Sequence, residues 1–393
     1  MIKREVSAKL IALSKQYPVI TITGPRQSGK TTLCKSLFSS KKYVNLEDPE
    51  TRMFAASDPK GFLSRFTNGA VIDEIQRAPE LLSYLQVIVD EHKAPGEFII
   101  TGSQNILLLS AVSQSLAGRT AIIHLLPLSV FELTEYGLSD ELDEFMYKGF
   151  YPNIYNLNLN PSENYSFYIS TYVEKDIRDL LKITDLNKFE LFLKICASRT
   201  GQIVNFSSMG NDCGLSHNTV KQWLSLLETS YIIKLSNPYY KNYGKRFIKS
   251  PKLYFIDTGL LCYLLGIRNK GHVDVHPLKG QIFETFAFSE LLKTLYNEAI
   301  DENIYFLRDT KGYEIDFILE AGIKLKSIEV KLSQTVSKDF FKNLNTVESL
   351  TGIKVEKYLI YGGSEAIKYK DISIIPWQNI HSIIRFGENI HLL

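Results

Sequence analysis

The sequence has few cysteines, no long apolar run and no surplus of one charge. Its four cysteines, Cys34, Cys196, Cys213 and Cys262, are scattered without a C-x-x-C pair. That argues against a disulfide or zinc framework and fits thiols in a reducing cytosol. His272 and His276 have a ligand-like spacing, but no cysteine or second histidine pair joins them, so solvated loop histidines are expected. No stretch approaches the ~18 apolar residues of a membrane span. The N-terminal segment places Ile2, Val6, Leu10 and Leu13 on one helical face and interleaves charges, unlike a signal peptide. A cytoplasmic chain with no membrane partner is expected. Lysine and arginine number 45 against 43 aspartates and glutamates, a net charge of +2, so nucleic-acid binding would need a local patch. At about 150 residues per domain, 393 residues predict two or three domains.

What is present organises itself around Pro18–Leu33. Pro18 to Thr23 reads as a buried strand, and Gly24-Pro25-Arg26-Gln27-Ser28-Gly29-Lys30-Thr31 then fits G-x-x-x-x-G-K-[ST] and opens a helix that continues through Thr32. This is the pattern of a phosphate-binding loop. Glycines let backbone N–H groups wrap the phosphates, Lys30 reaches the β and γ oxygens, and the Thr31 hydroxyl ligands Mg²⁺. ATP and Mg²⁺ are the expected cofactors.

The next strand, Lys42–Leu46, leads to Glu47-Asp48-Pro49-Glu50, a helix-starting turn. A third strand, Ala70-Val71-Ile72, delivers Asp73 and Glu74 at its carboxyl end, where open α/β sheets place ligand sites. An apolar strand ending in Asp-Glu is the Walker B pattern, with Asp73 in the Mg²⁺ shell and Glu74 activating the attacking water. The fourth strand, Glu97–Thr101, ends in Gly102-Ser103-Gln104. Gln104 is either a sensor orienting that water or, with Ser103, a helix cap. Arg119 precedes a fifth strand, as a solvated loop arginine or as a finger for a neighbouring subunit's γ-phosphate.

GPRQSGKTTL, VIDEIQ, ITGSQ and SLAGR, in this order, resemble the AAA-type ATPases of bacteria and archaea that carry a C-terminal domain of unknown function. The resemblance implies an AAA+ module with strand order 5-1-4-3-2. It implies Lys30, Thr31, Asp73 and Glu74 on nucleotide and Mg²⁺, Gln104 in sensing, and Arg119 as an arginine finger within a homo-oligomer.

Downstream, Leu128–Tyr155 with its Gly149-Phe150-Tyr151-Pro152 turn reads as lid and linker, and Tyr168–Ile183 as an amphipathic interdomain helix. Lys188–Arg199, Phe206–Cys213 and His217–Thr229 are helical patterns. Gly214 at the turn and Ser216 as N-cap complete a helix-turn-helix, and Tyr231–Leu235 with Lys245–Ile248 would form a wing. DNA contact would place His217, Asn218, Lys221 and Gln222 in a major groove, with Lys241, Lys245, Arg246 and Lys249 on phosphates. The competing role is protein contact or packing.

In Lys252–Leu265, capping by Asp257 or Thr258 accounts for the strand-turn-helix signature. Glu284 on an apolar helix, Asp316 on one strand, and Glu329 with Lys331 on another match the layout of the PD-(D/E)xK nuclease superfamily. The carboxylates would hold Mg²⁺ and Lys331 would position or activate water. The competing reading is an ordinary charged strand pair, such as Glu329 with Lys331.

The expected fold class is α/β. A P-loop (AAA+) parallel sheet occupies 1–135, a lid and helical linker 136–184, a winged-helix domain 185–250 and a restriction-endonuclease-like domain 251–393. The expected function is an Mg²⁺-dependent ATPase driving its C-terminal region, with DNA as the expected partner of that region. The alternative is a nucleotide-switched regulatory protein whose nuclease-like fold is inert.

Overall fold

The computed structural model describes residues 2–103, 112, 114–139, 141–173, 185–239, 250–309, 312–321, 324–348 and 352–385. The chain forms two compact units. One comprises Met1–Leu128 with Thr229–Tyr231 and Tyr296–Ile300; the other comprises Ser129–Glu228, Ile232–Leu295 and Asp301–Leu393.

The first unit is built on a sheet of β1 (Val19–Thr23), β2 (Lys42–Asn45), β3 (Ala70–Asp73), β4 (Phe98–Gly102) and β5 (Thr120–His124). Their spatial order is β5-β1-β4-β3-β2, and every pairing is parallel. The order implied by the family resemblance is thus the one observed. Strands covered on both faces need apolar residues at consecutive positions, and β1, β3 and β4 have them. Ile20, Ile22, Val71 and Ile99 enter a core shared with Val6, Leu10, Leu33 and Cys34. Val19, Ala70, Ile72, Phe98 and Ile100 enter the opposite core, with Phe62, Leu81, Leu82, Leu85 and Val89.

Helices α1 (Ser7–Ser14) and α2 (Lys30–Leu37) supply the first layer, and α3 (Pro49–Ser57), α4 (Pro59–Ser64) and α5 (Leu81–His92) the second. Local chemistry sets their starts. Asp48 and Asp58 cap α3 and α4 by accepting from Thr51 N and Gly61 N, with proline at the first helical position of each. The four buried apolar residues of α5 contribute roughly 1.5–3 kcal/mol each by leaving water. The N-terminal helix is shorter than its apolar spacing suggests: Ile2 is buried ahead of it, and Arg4 is drawn away to tertiary partners.

The second unit contains two sheets. Helix Leu186–Ser198, β6 (Gln202–Ile203), helices Phe206–Cys213 and His217–Thr229, β7 (Ile233–Ser236) and β8 (Lys252–Phe255) follow one another. The strands pair antiparallel in the order β6-β8-β7. Gly214 closes the first helix of the pair at φ 65°, and Ser216 Oγ accepts from Thr219 N at 3.1 Å to start the second. Trp223 packs edge-on against Phe189 and Phe192.

Beyond helix Lys279–Asn297 lie β9 (Ile304–Arg308), β10 (Glu314–Ala321), β11 (Lys324–Lys331), β12 (Val355–Tyr361), β13 (Ile367–Tyr369) and β14 (Ile372–Pro376). They form a mixed sheet ordered β13-β14-β12-β11-β10-β9, which the C-terminal strands β12, β13 and β14 complete. Of the interdomain helix expected over Tyr168–Ile183, residues 169–173 form a π-helical turn and 174–184 lie outside the described residues.

Asp257 caps helix Thr258–Leu264 through Leu260 N at 2.9 Å and also accepts Phe150 N at 2.7 Å and the Tyr165 hydroxyl at 2.6 Å. It is a buried pin within this unit as well as a cap. Replacing Asp257 by Ala strands two buried amide donors, each costing about 1–3 kcal/mol when unpaired, while the Tyr165 hydroxyl keeps the Lys148 carbonyl at 3.0 Å. Urea unfolding should show a loss of at least ~2 kcal/mol; an unshifted midpoint would rule out the pinning role.

Candidate functional site

The phosphate-loop sequence leaves the carboxyl end of β1. Gly24 has φ 154°, and a Cβ there would lie 2.1 Å from the Leu125 carbonyl oxygen, so close backbone packing already demands glycine. The loop is folded on itself: Ser28 Oγ donates to Pro25 O at 2.9 Å, and Gly29 at φ 93° begins α2. Gln27 also has a positive φ, of 62°, and is exposed. Arg26 is partly buried and Thr32 faces out from α2.

Lys30 is buried inside the loop, its Nζ donating to Gly24 O at 2.9 Å and Pro25 O at 2.7 Å. Burial lowers its pKa to about 8, against the pull of Glu74 and Asp73. Sequence reasoning missed Arg4, whose guanidinium donates to Ser28 O and Leu126 O, each at 2.7 Å. A buried guanidinium holds the loop to the segment after β5; nothing local in the sequence marks it.

Asp73 and Glu74 stand at the end of β3. Asp73 Oδ2 accepts from the Thr31 hydroxyl at 2.7 Å and the Tyr43 hydroxyl at 2.6 Å, and Oδ1 accepts from Thr101. Burial and the Asp73 contact push the Tyr43 phenol up, keeping it a donor. The hydroxyl of Thr31 and the carboxylate of Asp73 are thus adjacent hard oxygen donors, a set that fits Mg²⁺, which commonly takes few protein ligands and completes its shell with water and phosphate oxygens.

Glu74 has φ 57° and accepts from Ser103 Oγ at 3.0 Å and from Gln76. Ser103, at the end of β4, is the described neighbour of Glu74, whereas Gln104 lies outside the described residues. Arg119 makes a two-pronged pair with Asp90 of α5, Nε at 2.6 Å and Nη2 at 2.8 Å. It precedes the first residue of β5, which pairs with Val19, whereas the loop follows Thr23 at the other end of β1. Arg119 is therefore at the sheet edge opposite its own chain's phosphate loop.

In the second unit the four residues singled out at the C-terminal site come together. Lys331 Nζ lies 2.8 Å from Glu329 and 3.8 Å from Asp316, and Asp316 Oδ2 accepts Val330 N at 2.8 Å. The pairing of β9 with β10 slips between Ile315 and Ile318, a bulge at the strand position of Asp316. Glu284 accepts from Lys252 Nζ at 3.0 Å and the Tyr254 hydroxyl at 2.6 Å, and Lys252 also pairs with Glu314 at 2.6 Å.

Burial and the Asp316 charge raise Glu329 to about 8, and burial likewise raises Glu284. Burial notwithstanding, Asp316 and Glu329 hold Lys331 above its ordinary value. Among the described residues, no three His, Cys, Asp or Glu side chains are gathered so as to hold a metal ion. Within the expected Glu284, Asp316 and Glu329 set, lysines, a tyrosine and a backbone amide engage one oxygen of each carboxylate. Lys252 and Tyr254 had no sequence signal, because strand β8 meets Glu284 only through the fold.

Of the residues proposed for DNA, His217, Asn218, Lys221 and Gln222 lie on helix His217–Thr229, where the His217 ring packs against Phe206. Lys241, Lys245, Arg246 and Lys249 fall outside the described residues. No helix among the described residues is long and apolar enough to cross a membrane.

Residues 16–134 match the family described as AAA domain. Residues 139–271 and 279–380 match two families described as domains of unknown function, DUF8612 and DUF4143. An uncharacterized protein of Mycobacterium tuberculosis is 29% identical over 339 residues, 85% of this chain and 75% of that protein. An uncharacterized protein of Haemophilus influenzae is 25% identical over 283 residues, 68% of this chain and 66% of that one. The Walker-type ATPase of Pyrococcus abyssi superposes with a TM-score of 0.44 at 13% identity, covering 67% of this chain and 96% of that chain. Residues 16–134 of the first unit are therefore similar to AAA domains.

The Lys30 environment has a pH consequence. With its pKa lowered to about 8, the ammonium is charged below that pH and neutral above it. Affinity for a fluorescent ATP analogue should fall as pH rises through about 8, with Kd growing by up to about tenfold per unit. A Kd constant from about pH 7 to 9 would show that Lys30 does not titrate in this range.

Proposed function

We propose that the chain is an Mg²⁺-dependent ATPase whose engine is the loop Gly24–Thr31. The observation that carries this reading is the 2.7 Å hydrogen bond between Thr31 and Asp73 beside the buried Lys30. Loop backbone from Gly24 to Gly29 cradles the phosphates and Lys30 neutralises their β and γ oxygens. Thr31 and Asp73 hold Mg²⁺, which when bound supplies charge neutralisation at the phosphate oxygens. Glu74 takes a proton from the attacking water, with Ser103 and Gln104 orienting it. Arg119, at the far sheet edge, serves a neighbouring subunit, which requires a homo-oligomer.

Hydrolysis then rearranges the C-terminal region, read as a winged helix over 185–250 and a nuclease-like domain over 251–393. Support for the winged helix is the succession of helix, short strand, two helices and two strands closing an antiparallel sheet. DNA is the proposed partner of that module, and the cytoplasm the proposed location.

A second reading keeps the ATPase but makes the nuclease-like domain inert, so that nucleotide switches a binding surface. It is favoured by the lysine and tyrosine bonds that already engage one oxygen each of Glu284 and Glu329.

Lys30→Ala should abolish ATP binding or turnover, and Glu74→Gln should leave binding within about threefold while slowing steady-state hydrolysis at least ~100-fold. Normal hydrolysis in both variants would sink the assignment. For the two C-terminal readings, purified protein is incubated with DNA or RNA and Mg²⁺ or Mn²⁺. Cleavage lost in Asp316→Ala but with ATPase spared supports a nuclease; equal products from both proteins, or none from either, leave the switch reading standing.

A further inference from the structure

The first unit includes two short segments from late in the chain, Thr229–Tyr231 and Tyr296–Ile300. Both bring a tyrosine to the end of the sheet from which the phosphate loop departs. His124, the last residue of β5, is paired in register with Thr23, the last residue of β1. His124 Nδ1 and the Tyr231 hydroxyl are 2.8 Å apart, and that hydroxyl donates to Thr23 Oγ1 at 3.4 Å. The His124 ring also packs on Tyr296, with centroids 4.7 Å apart. Asn297 Nδ2 donates to Glu5 Oε2 at 3.1 Å, one residue after Arg4, which itself holds Ser28.

Two features set Tyr231 apart from a packing residue. Its hydroxyl reaches the residue immediately before Gly24, which is in turn wedged against Leu125 O. Its backbone has φ 57°, a conformation that bulky L-residues seldom adopt and that persists only where the surroundings enforce it. In the chain, Tyr231 stands two residues after helix His217–Thr229 and two before β7.

We propose that Tyr231 is a positioning residue for the phosphate loop, and that it carries the loop's nucleotide state into the helix and strand on either side of it. A shift of the Thr23–Gly24 backbone when phosphates enter the loop is felt at the hydroxyl. The strained backbone of Tyr231 then redistributes it along the chain into helix His217–Thr229 and β7. The inference rests on the ATPase reading above and identifies the residue through which nucleotide would act on the region beyond it.

The test uses the full chain with Mg²⁺ and ATPγS, comparing wild type with Tyr231→Phe, which removes only the hydroxyl, and with His124→Phe. Nucleotide binding is titrated first, and amide hydrogen exchange over residues 217–236 is then followed at saturation. Wild type should show a nucleotide-dependent change in that exchange. Tyr231→Phe should bind about fivefold more weakly, the loss expected of one hydrogen bond, and should lose at least half of the exchange response. His124→Phe should act the same way, and the double variant should be no worse than either single one.

An undiminished exchange response in Tyr231→Phe, or none in a wild-type protein that binds nucleotide, would overturn the proposal. Failure of the ATPase reading is distinct, because it is seen in the first titration as a wild-type protein that does not bind nucleotide, and it removes the proposal too.

Discussion

The carboxylate of Asp73 is the constraint on which the first unit depends. It is buried, and a buried carboxylate is costly unless donors surround it. Its donors are hydroxyls from three other elements: Thr31 on α2, Tyr43 on β2 and Thr101 on β4. Satisfying one side chain therefore aligns the loop, the edge strand and the central strand at a single sheet edge. Glu74 follows with its backbone in the left-handed region, which turns the next carboxylate toward Ser103 instead of continuing the strand.

The second unit solves the same electrostatic problem repeatedly. Asp257 is satisfied by two amides and a tyrosine. Glu290 and Lys293 pair at 2.7 Å while Glu290 also accepts Val130 N. Lys252 lies between Glu284 and Glu314. Such pairs offset a large desolvation cost, so their net stabilisation is small, while loss of one partner is expensive. At Glu284, Asp316, Glu329 and Lys331 the same accounting holds, with lysines neutralising one oxygen each of Glu284 and Glu329.

Much of the architecture was legible because its signals are local. Strand β1, the loop glycines, the Asp-Glu end of β3 and the Ser216 cap each depend on a few adjacent residues whose backbone preferences are strong. The parallel order of the sheet came from family resemblance, since nothing in strand composition ranks parallel neighbours. Arg4, Lys252, the bond of Ser103 to Glu74 and the role of Tyr231 were not legible. Each acts on a partner far along the chain, or on a strand end whose neighbour is chosen by folding, and their residue types are unremarkable where they stand.

The phosphate loop, the acidic strand end beside it and the helix-turn-helix are local features, because spacing along a strand or helix places their side chains without reference to the rest of the molecule. Long-range packing instead chose which hydroxyls hold Asp73, paired Arg119 with Asp90 at the sheet edge away from the loop, and returned Tyr231 to Thr23 across 208 positions. Those contacts arise when burial forces each polar group to find a partner, and the partner is whichever group the packed elements bring within reach.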